Sequence, residues 1–556
     1  MAIWCWRPRR RQSQPRWQQI EAFASDLQSL PSWHDLKDNT LLFEAFEWHV
    51  PCDNLHWHRL QRILPSLQSI GVDALWLPPG CKAMNPTGNG YDIYDLWDLG
   101  EFHQKGVRAT KWGSWEALQA LVAEMHARQL DVYWDAVLNH RAGADYPERF
   151  EAVKVDPKHR NMEISPPSWI SGWTGFSFPG RGEVYSSQKY TWQHFSGVDW
   201  DDASQTNAIF KIHGKRWAED VGHELGNYDY LMFANVDYAD PEVRADVLAW
   251  GRWMGERLGL RGMRLDAAKH FSAGFQKELL AHLRATTRPD FRVIGEYWTG
   301  DVGELVRYVK TMEGAGGVLA VDAPLVHAFS RVSLHHGGDL RGVLRGTLME
   351  RCPGNALTFV ENHDTQPGQM MANTIAPDFK LLAYALILLR QEGHPCLFYG
   401  DLYGIWNGQR AVLDEAYARK LPILTRARKH FAYGEQQDYL EEGGCIGFIR
   451  YGNARHPAGL ACVLSAPQKP TATLKHRTKR MYVGQRHAHA TWREVLQPQE
   501  GATTHVVIDA RGYGEFPVAA TGGWYAGVWV EAVAAEGARL DEVFDHDIYG
   551  TTAEQP

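Results

Sequence analysis

The sequence predicts an α/β protein built around a (β/α)8 TIM barrel. Short apolar runs alternate with longer amphipathic segments eight times between residues 41 and 433, a pattern typical of parallel strands joined by helices. Three of the apolar runs lead into short acidic segments, which carry Asp266, Glu296 and Asp364. Since a barrel gathers the carboxyl ends of its strands at one face, these two observations together predict one shared site.

Eight strands follow from the apolar runs, and helical periodicity places helices between them. The predicted strands are 42–46, 74–77, 132–138, 262–265, 293–296, 318–321, 356–360 and 396–399. The clearest helices are 115–129, 241–258, 275–285 and 379–392. The barrel therefore occupies residues 41–140 and 237–433.

Three segments lie outside the barrel pattern. Residues 1–40 are polar and are predicted to form an N-terminal extension with a helix near 17–30. Residues 141–236, after the third strand, are too many for a plain loop and predict an inserted subdomain. After residue 434 short alternating segments replace the helical pattern, and they predict a C-terminal antiparallel β-sandwich domain over 434–549. Its strands are expected near 447–451, 460–464, 504–508 and 524–530.

Composition and charge exclude several classes of protein. The chain has 66 acidic and 58 basic residues, a formal net charge of −8, and one basic cluster at residues 7–11, so a nucleic-acid partner is disfavoured. No apolar run is long enough for a membrane span or a secretion signal, and the seven cysteines are scattered like reduced thiols. We expect a cytoplasmic monomer without a membrane partner. A weak organelle-targeting segment at the basic N-terminus is the alternative.

The surroundings of two acids suggest different protonation states. Arg264 precedes Asp266 by two residues, so a strand points both side chains the same way, and the guanidinium would keep the carboxylate ionised. Glu296 ends a nearly uncharged run and precedes Tyr297 and Trp298, where desolvation would raise its pKa. A nucleophilic carboxylate paired with a protonated carboxyl is what retaining glycoside hydrolysis requires. Either acid alone could equally be a strand-end residue in a salt bridge.

Two further strand ends carry polar side chains. Asn362, His363 and Asp364 would add a third carboxylate and an imidazole, suited to hydrogen bonds with sugar hydroxyls. Asn139 and His140 close the third strand, where the histidine could bind a sugar and the asparagine a metal. A single histidine after a strand is more often structural, so this interpretation depends on the neighbouring motifs.

Four of these segments resemble the signature regions of the α-amylase family, glycoside hydrolase family 13. They are residues 131–140, 262–266, 293–296 and 359–364. The resemblance continues through 90–102, 178–182, 226–232 and 362–368, which are similar to the liquefying-type bacterial enzymes and their intracellular fungal relatives. It covers nearly all of residues 42–530.

The resemblance implies a role for each matching residue. Asp266 would be the nucleophile, Glu296 the general acid/base and Asp364 the stabiliser of the transition state. Six further residues would contact the sugar chain: Arg264, His140 and His363 around the cleavage point, Tyr91 stacked on the sugar, and Lys269 and His270 toward the reducing end.

The resemblance also implies a structural Ca²⁺ between the barrel and the inserted subdomain. Its ligands would be Asn139, Asp229, Asn235 and the backbone carbonyl of His270, all oxygen donors as Ca²⁺ requires. Asn235 stands where the bacterial enzymes are expected to have an aspartate, which weakens the site. A second metal cluster and a third site are not predicted, because their expected ligands are replaced by Ser196, Ala218 and Gln437.

The implied activity is endo-acting, retaining hydrolysis of α-1,4-glucosidic bonds in an α-glucan such as starch, glycogen or maltodextrin. The reaction would pass through a covalent glycosyl-enzyme. An α-glucanotransferase, in which a sugar hydroxyl replaces water, would use the same residues and stays open. A catalytically inactive glucan-binding relative is disfavoured because all three acids are present.

Overall fold

The computed structural model describes residues 39–335, 338–467, 477–496, 505–518 and 523–550. The predicted helix near 17–30 lies outside these residues. Eight parallel strands form a closed barrel in which each pairs with its neighbours along the chain and the last pairs with the first. They are β1 (Leu42–Glu44), β2 (Ala74–Leu77), β3 (Asp131–Ala136), β4 (Gly262–Leu265), β5 (Arg292–Gly295), β6 (Leu319–Val321), β7 (Ala356–Thr358) and β8 (His394–Phe398). The predicted (β/α)8 barrel is therefore confirmed.

Several strands end earlier than their apolar runs suggested. The run 132–138 continues past the end of β3 at Ala136, and the run 356–360 continues past the end of β7 at Thr358. The remaining apolar residues stay buried. These residues make no strand pairing, because the chain turns here toward the polar residues that follow.

Helices cover the outside of the barrel, and capping residues explain where two of them begin. The Ser114 side chain accepts a hydrogen bond from the backbone N–H of Ala117, and Asp240 caps the helix that starts at Pro241. The helices are α1 (His56–Ser69), α2 (Trp115–Ala127), α3 (Pro241–Leu258), α4 (Ala273–Thr286), α5 (Val302–Met312), α6 (Ala323–Ser333), α7 (Leu348–Arg351), α8 (Pro377–Leu389), α9 (Tyr399–Tyr403), α10 (Glu415–Ala418), α11 (Leu421–Phe431) and α12 (Ala532–Gly537).

The long connection between β3 and β4 forms a separate antiparallel sheet, as the sequence predicted. Its strands are His140–Arg141, Tyr146–Asp156, His159–Glu163, Ser168–Gly175, Phe195–Asp201, Thr206–Ile212 and Ala234–Val236. The first and last of them pair with each other, so the insert leaves and re-enters the barrel at one place. That place is directly above the carboxyl end of β3.

The C-terminal region is antiparallel β structure, which confirms the predicted fold class. One sheet contains Gln436–Glu442, Cys445–Arg450, Leu460–Ser465, Tyr525–Glu531, Thr491–Glu494 and His505–Val507, and a second pairs Arg477–Tyr482 with Tyr513–Val518. The chain then returns to the barrel, where the Tyr549 ring packs against Trp406. Two minor hairpins pair Lys82–Ala83 with Ile93–Asp95 and Ile405–Trp406 with Ala411–Val412.

Helix α8 lies between the barrel and the C-terminal sheet and buries every residue from Phe379 to Leu389. One of them is Lys380, whose Nζ contacts Glu361 Oε2 at 2.8 Å and Asp401 Oδ1 at 2.7 Å. The Tyr384 hydroxyl donates a 2.6 Å hydrogen bond to the other oxygen of Asp401. Buried charges need such pairing because desolvation is costly.

No helix in the described part of the chain is long and apolar enough to cross a membrane. The six cysteines within it are all free thiols, and five of them are buried.

Candidate active site

The fold brings the three predicted acids together at the carboxyl end of the barrel. Asp266 directly follows β4 and Glu296 directly follows β5, and the paired register of these strands makes the two acids neighbours. Asp364 arrives on the turn after β7, where the Asn362 side chain accepts a hydrogen bond from the Asp364 N–H at 3.1 Å. Three strands thus deliver three acids to one place.

Arg264 connects the acids. Its Nη1 lies 2.6 Å from Asp266 Oδ1 and 2.8 Å from Asp135 Oδ1, and its Nη2 lies 2.9 Å from Glu296 Oε2. The guanidinium is buried inside the barrel, because Arg264 points inward from β4. One positive charge therefore faces three carboxylates, and the cluster carries an excess of negative charge.

That excess changes the protonation of the two central acids. Burial raises the pKa of Glu296 despite Arg264, and Asp364 adds to the rise, as the sequence predicted. Burial also raises the pKa of Asp266, and the negative charges of Glu296 and Asp135 raise it further. Arg264 lowers this pKa but offsets those effects only in part. The sequence predicted an ionised Asp266 and a protonated Glu296, and the structure agrees only for Glu296. The reason is that Asp266 shares the charge of Arg264 with Glu296 and Asp135.

Asp135 is a functional residue that the sequence reasoning missed. Besides Arg264, its carboxylate accepts hydrogen bonds from the Tyr91 hydroxyl at 2.9 Å and from Trp76 Nε1 at 3.0 Å. It thereby fixes both the guanidinium and the tyrosine. A signal existed, since Asp135 lies near the carboxyl end of a predicted barrel strand, like the three acids that were recognised.

The turn after Asp266 ties the two central acids together. Ala267 has a backbone φ of 49°, a left-handed conformation that residues with a Cβ seldom adopt. In this conformation its N–H donates a 2.8 Å hydrogen bond to Glu296 Oε2. With Arg264 on the same oxygen, that oxygen is fully engaged, and Oε1 is the free oxygen of the carboxyl group.

His363 lies in a box of aromatic rings beside Asp364. Its ring is parallel to Tyr91, with centroids 5.1 Å apart, and packs against Phe46 and the edge of Trp76. Nε2 is 3.2 Å from Asp364 Oδ2 but makes no hydrogen bond of good geometry with the described residues. This nitrogen is therefore a buried donor that faces Asp364.

His140 also reaches the site, but in a different setting from the one expected. Its Nε2 hydrogen-bonds the backbone carbonyl of Tyr91 at 2.7 Å, and burial lowers its pKa to about 4. The neutral ring holds the loop that carries Tyr91. A direct sugar contact stays a prediction, and it would need a different hydrogen bond at Nε2.

Lys269 and His270 lie at the side of the site next to the inserted sheet. Lys269 Nζ donates to the carbonyl of Trp298 at 3.0 Å and pairs with Glu224 at 2.6 Å. His270 Nδ1 hydrogen-bonds the carbonyl of Tyr228 at 2.8 Å, and burial lowers its pKa to about 3. Both thus link the barrel to residues 222–229 of the insert.

A cavity of about 1080 Å³ adjoins Tyr91, and its described lining contains none of the three acids. The lining includes Trp48, Tyr91, Phe233 and Trp406, of which the sequence indicated only Tyr91. Phe233 also lines a second cavity of about 350 Å³, together with Trp173. The two cavities therefore have aromatic walls and share one wall residue, Phe233.

The predicted metal ligands lie where the insert joins the barrel. Asn139 and Asn235 are fully buried, and the Oδ1 atom of each has no hydrogen-bond partner among the described residues. Asp229 Oδ2 accepts a 3.1 Å hydrogen bond from Asn235 Nδ2, and burial raises the Asp229 pKa to about 8. Two unsatisfied oxygens beside a buried carboxylate fit the needs of a hard cation.

This site contains too few ionisable ligands to stand out as a cluster. No group of three or more histidine, cysteine, aspartate or glutamate side chains suited to a metal occurs among the described residues. Ser196, at a position where a ligand of a second cluster was expected, places its hydroxyl 3.5 Å from Asp229 Oδ2.

Comparisons with known proteins agree with this geometry. The family described as "Alpha amylase, catalytic domain" matches residues 58–437. The chain is 42% identical to an alpha-amylase of Bacillus licheniformis over 483 residues, covering 86% of this chain and 92% of the relative. It is 35% identical to the cytoplasmic alpha-amylase of Escherichia coli over 490 residues, covering 86% and 96%.

Solved structures support the fold. An alpha-amylase of Geobacillus thermoleovorans, solved with acarbose, superimposes with a TM-score of 0.57 at 18% identity, covering 89% of this chain and 98% of that one. An alpha-amylase of Malbranchea cinnamomea gives the same TM-score at 15% identity, covering 91% and 98%. Since the family match spans more than half of the sequence and the Bacillus relative is similar over nearly its whole length, the chain belongs to the alpha-amylase family of glycoside hydrolases, family 13.

Proposed function

We propose that the protein is an endo-acting, retaining hydrolase of α-1,4-glucosidic bonds in starch, glycogen or maltodextrin. The observation that carries this proposal is the pair Asp266 and Glu296, held by one buried guanidinium at the carboxyl end of the barrel. Retaining hydrolysis needs two such carboxyl groups, one as nucleophile and one as acid/base. The similarity to named alpha-amylases supports the substrate class.

We place the proton of the resting enzyme on Glu296, because retaining hydrolysis needs an ionised nucleophile and a protonated acid. Arg264 Nη1 lies 2.6 Å from Asp266 Oδ1 and can hold the ionised nucleophile. The free Oε1 of Glu296 can then carry the proton. In this state Asp266 is the nucleophile and Glu296 is the acid.

The reaction proceeds in two steps. Glu296 donates its proton to the bridging oxygen while Asp266 attacks the anomeric carbon, which forms a glycosyl-enzyme and releases the reducing-side fragment. Glu296, now ionised, takes a proton from water, which attacks the same carbon and frees Asp266. Asp364 and His363 hold ring hydroxyls through both steps and favour the flattened transition state.

The shape of the site supports cleavage within a chain. Two cavities with aromatic walls near Tyr91 would hold sugar units, since flat rings cover the apolar faces of sugars. Lys269 and His270 lie next to the insert, where they would meet sugars toward the reducing end. Sugar contacts on both sides of the acids would bring internal bonds of a polymer to them.

Transfer to a sugar hydroxyl is the second candidate, because it shares the first half-reaction. We expect maltoheptaose to be converted into shorter products only, since the open cavity admits water to the glycosyl-enzyme. Product analysis by mass spectrometry over time checks this. Products longer than maltoheptaose, growing with substrate concentration, would show that the enzyme is a transferase.

We also propose a structural Ca²⁺ held by Asn139, Asp229, Asn235 and the carbonyl of His270. The unpartnered Oδ1 atoms of the two asparagines support it, as does the buried Asp229. When bound, the ion would supply a cross-link between barrel and insert and would keep Asp229 ionised. With a single carboxylate, the site should bind Ca²⁺ more weakly than one with two.

Removal of Ca²⁺ should lower thermal stability. Chelation is expected to reduce the melting temperature by several degrees, because a ligand that binds only the folded state stabilises it by about 2.7 kcal/mol at one hundred times its Kd. Calorimetric titration of the chelated protein checks binding directly, and Asn235→Asp should bind Ca²⁺ more tightly. An unchanged melting temperature together with no binding heat would count against the site.

The remaining expectations concern location and partners. We propose a cytoplasmic location, supported by the similarity to the E. coli cytoplasmic alpha-amylase and by the free thiols of the described cysteines. The expectation of a monomer without nucleic-acid or membrane partner stays a prediction.

A further inference from the structure

Glu44 is a buried acid at the bottom of the site. It is the last residue of β1 and is 1% exposed. Its Oε1 lies 2.6 Å from Nδ1 of His363, close to the shortest distance expected for such a hydrogen bond. None of the sequence motifs includes Glu44, and the two-step reaction gives it no direct part.

The His363 ring connects Glu44 to a proposed catalytic acid. Nδ1 faces Glu44 at 2.6 Å, and Nε2 faces Asp364 Oδ2 at 3.2 Å. The order is therefore carboxylate, imidazole, carboxylate, and of these three side chains only that of Asp364 is partly exposed, at 25%. A change at Glu44 can reach the sugar only through His363.

The remaining surroundings of the ring could not hold a charge by themselves. Tyr91, Phe46 and Trp76 pack around His363 and exclude water. A histidine surrounded by apolar rings is neutral unless a nearby carboxylate stabilises its positive charge. A neutral ring could donate from only one nitrogen, so it could not face both Glu44 and Asp364 with an N–H group.

We propose that Glu44 is a positioning residue for the proposed hydrolysis: it keeps His363 charged and aimed at Asp364. The inference rests on the proposed function for the consequence in turnover. The contact between Glu44 and His363 is independent of it.

The protonation of His363 agrees with this role. Burial disfavours its charged form, but Asp364 and Glu44 outweigh that effect and raise its pKa to about 10. Burial raises the pKa of Glu44, and His363 and Arg264 oppose that rise. The other titratable groups that interact with the pair are Glu361 and Cys396 next to Glu44, and Glu296 next to His363. Because the pKa is raised, the charged ring is present below about pH 10 and is lost as the pH rises through that value.

The test is Glu44→Gln, which removes the charge but keeps the shape. One hydrogen bond to a charged group is worth about 1 to 2 pH units, so the His363 pKa should fall by that amount. The ratio of the variant's kcat to that of the wild type on soluble starch should therefore decline above about pH 8, a comparison in which deprotonation of Glu296 cancels. Turnover near pH 6 should stay within about threefold of the wild type, because the ring is still protonated there.

Glu47→Gln is the matched control. Glu47 is also fully buried near the end of β1, but it hydrogen-bonds the backbone N–H of Trp406 and the side chain of Gln366 instead of His363. Its kcat ratio to the wild type should not change with pH, whatever happens to its absolute rate. A ratio independent of pH in Glu44→Gln, or an equal decline in Glu47→Gln, would overturn the proposal.

A second readout needs no turnover. With ¹³C-labelled histidine, the His363 signal is identified by its loss in His363→Gln, and its titration should fall by the same 1 to 2 pH units in Glu44→Gln. If the wild type fails to cleave glucan but this shift appears, the proposed function fails while the link between Glu44 and His363 stands. If Glu44→Gln does not fold, the same titration is read in Glu44→Asp, where an unshifted signal contradicts the proposal.

Discussion

Asp266→Asn is expected to lower kcat on soluble starch by a factor on the order of 10⁴ to 10⁶, the scale seen when a catalytic nucleophile is removed. The amide has nearly the same shape as the carboxylate but cannot attack the anomeric carbon. It also relieves the excess of negative charge around Arg264, so the fold should be kept or slightly stabilised. Initial rates of reducing-sugar release and a thermal melt measure the two effects.

A control at the opposite end of the barrel separates catalysis from general charge effects. Asp131 begins β3, and its side chain is 41% exposed beside Arg261. Asp131→Asn should leave kcat within about twofold, because surface substitutions of this kind change little. Activity of Asp266→Asn close to that of Asp131→Asn would refute the nucleophile assignment.

Lys380→Met should cause the largest loss of stability. The substitution leaves Glu361 and Asp401 buried without their cation, and breaking a buried ion pair in this way costs about 3–5 kcal/mol. Burial already raises the pKa of Glu361 to about 7. Without the ammonium group of Lys380, the ionised form of Glu361 would be still less favourable. Urea unfolding and the thermal midpoint measure the change.

Arg252→Met is the matched comparison. Arg252 pairs with Glu256 one turn along α3, and the two side chains are 56% and 52% exposed. Solvent screening makes such a pair worth less than about 1 kcal/mol. If both variants unfold at the same urea concentration, the buried cluster around Lys380 is not a significant source of stability.

The barrel could be predicted from sequence because its signal is local and repeated. Alternating apolar runs and amphipathic helices depend only on which residues face the core, and all eight predicted strands appear in the closed barrel. The three acids were found for the same reason, since Asp266 and Glu296 follow a strand end directly. Their family then followed from the motifs and is confirmed by the comparisons.

Other site residues gave no distinct local signal. Trp406 belongs to a short hairpin after β8 and lines the larger cavity, whereas Trp173 belongs to the inserted sheet and lines the smaller one. Which aromatic rings share a cavity depends on how separate loops fold over the barrel. The sequence contains many aromatic residues but does not indicate which of them line the same cavity.

The sequence by itself determined the barrel, the order of its acids and the family, because these follow from hydrophobic periodicity and short contiguous motifs. Only the tertiary structure decided how the charges are shared. It placed Asp135 on the same guanidinium as Asp266 and Glu296. It also placed Glu44, at the end of β1, in contact with His363, which follows β7. These contacts join residues distant in sequence, and their effect on protonation depends on burial and on distances of a few ångströms.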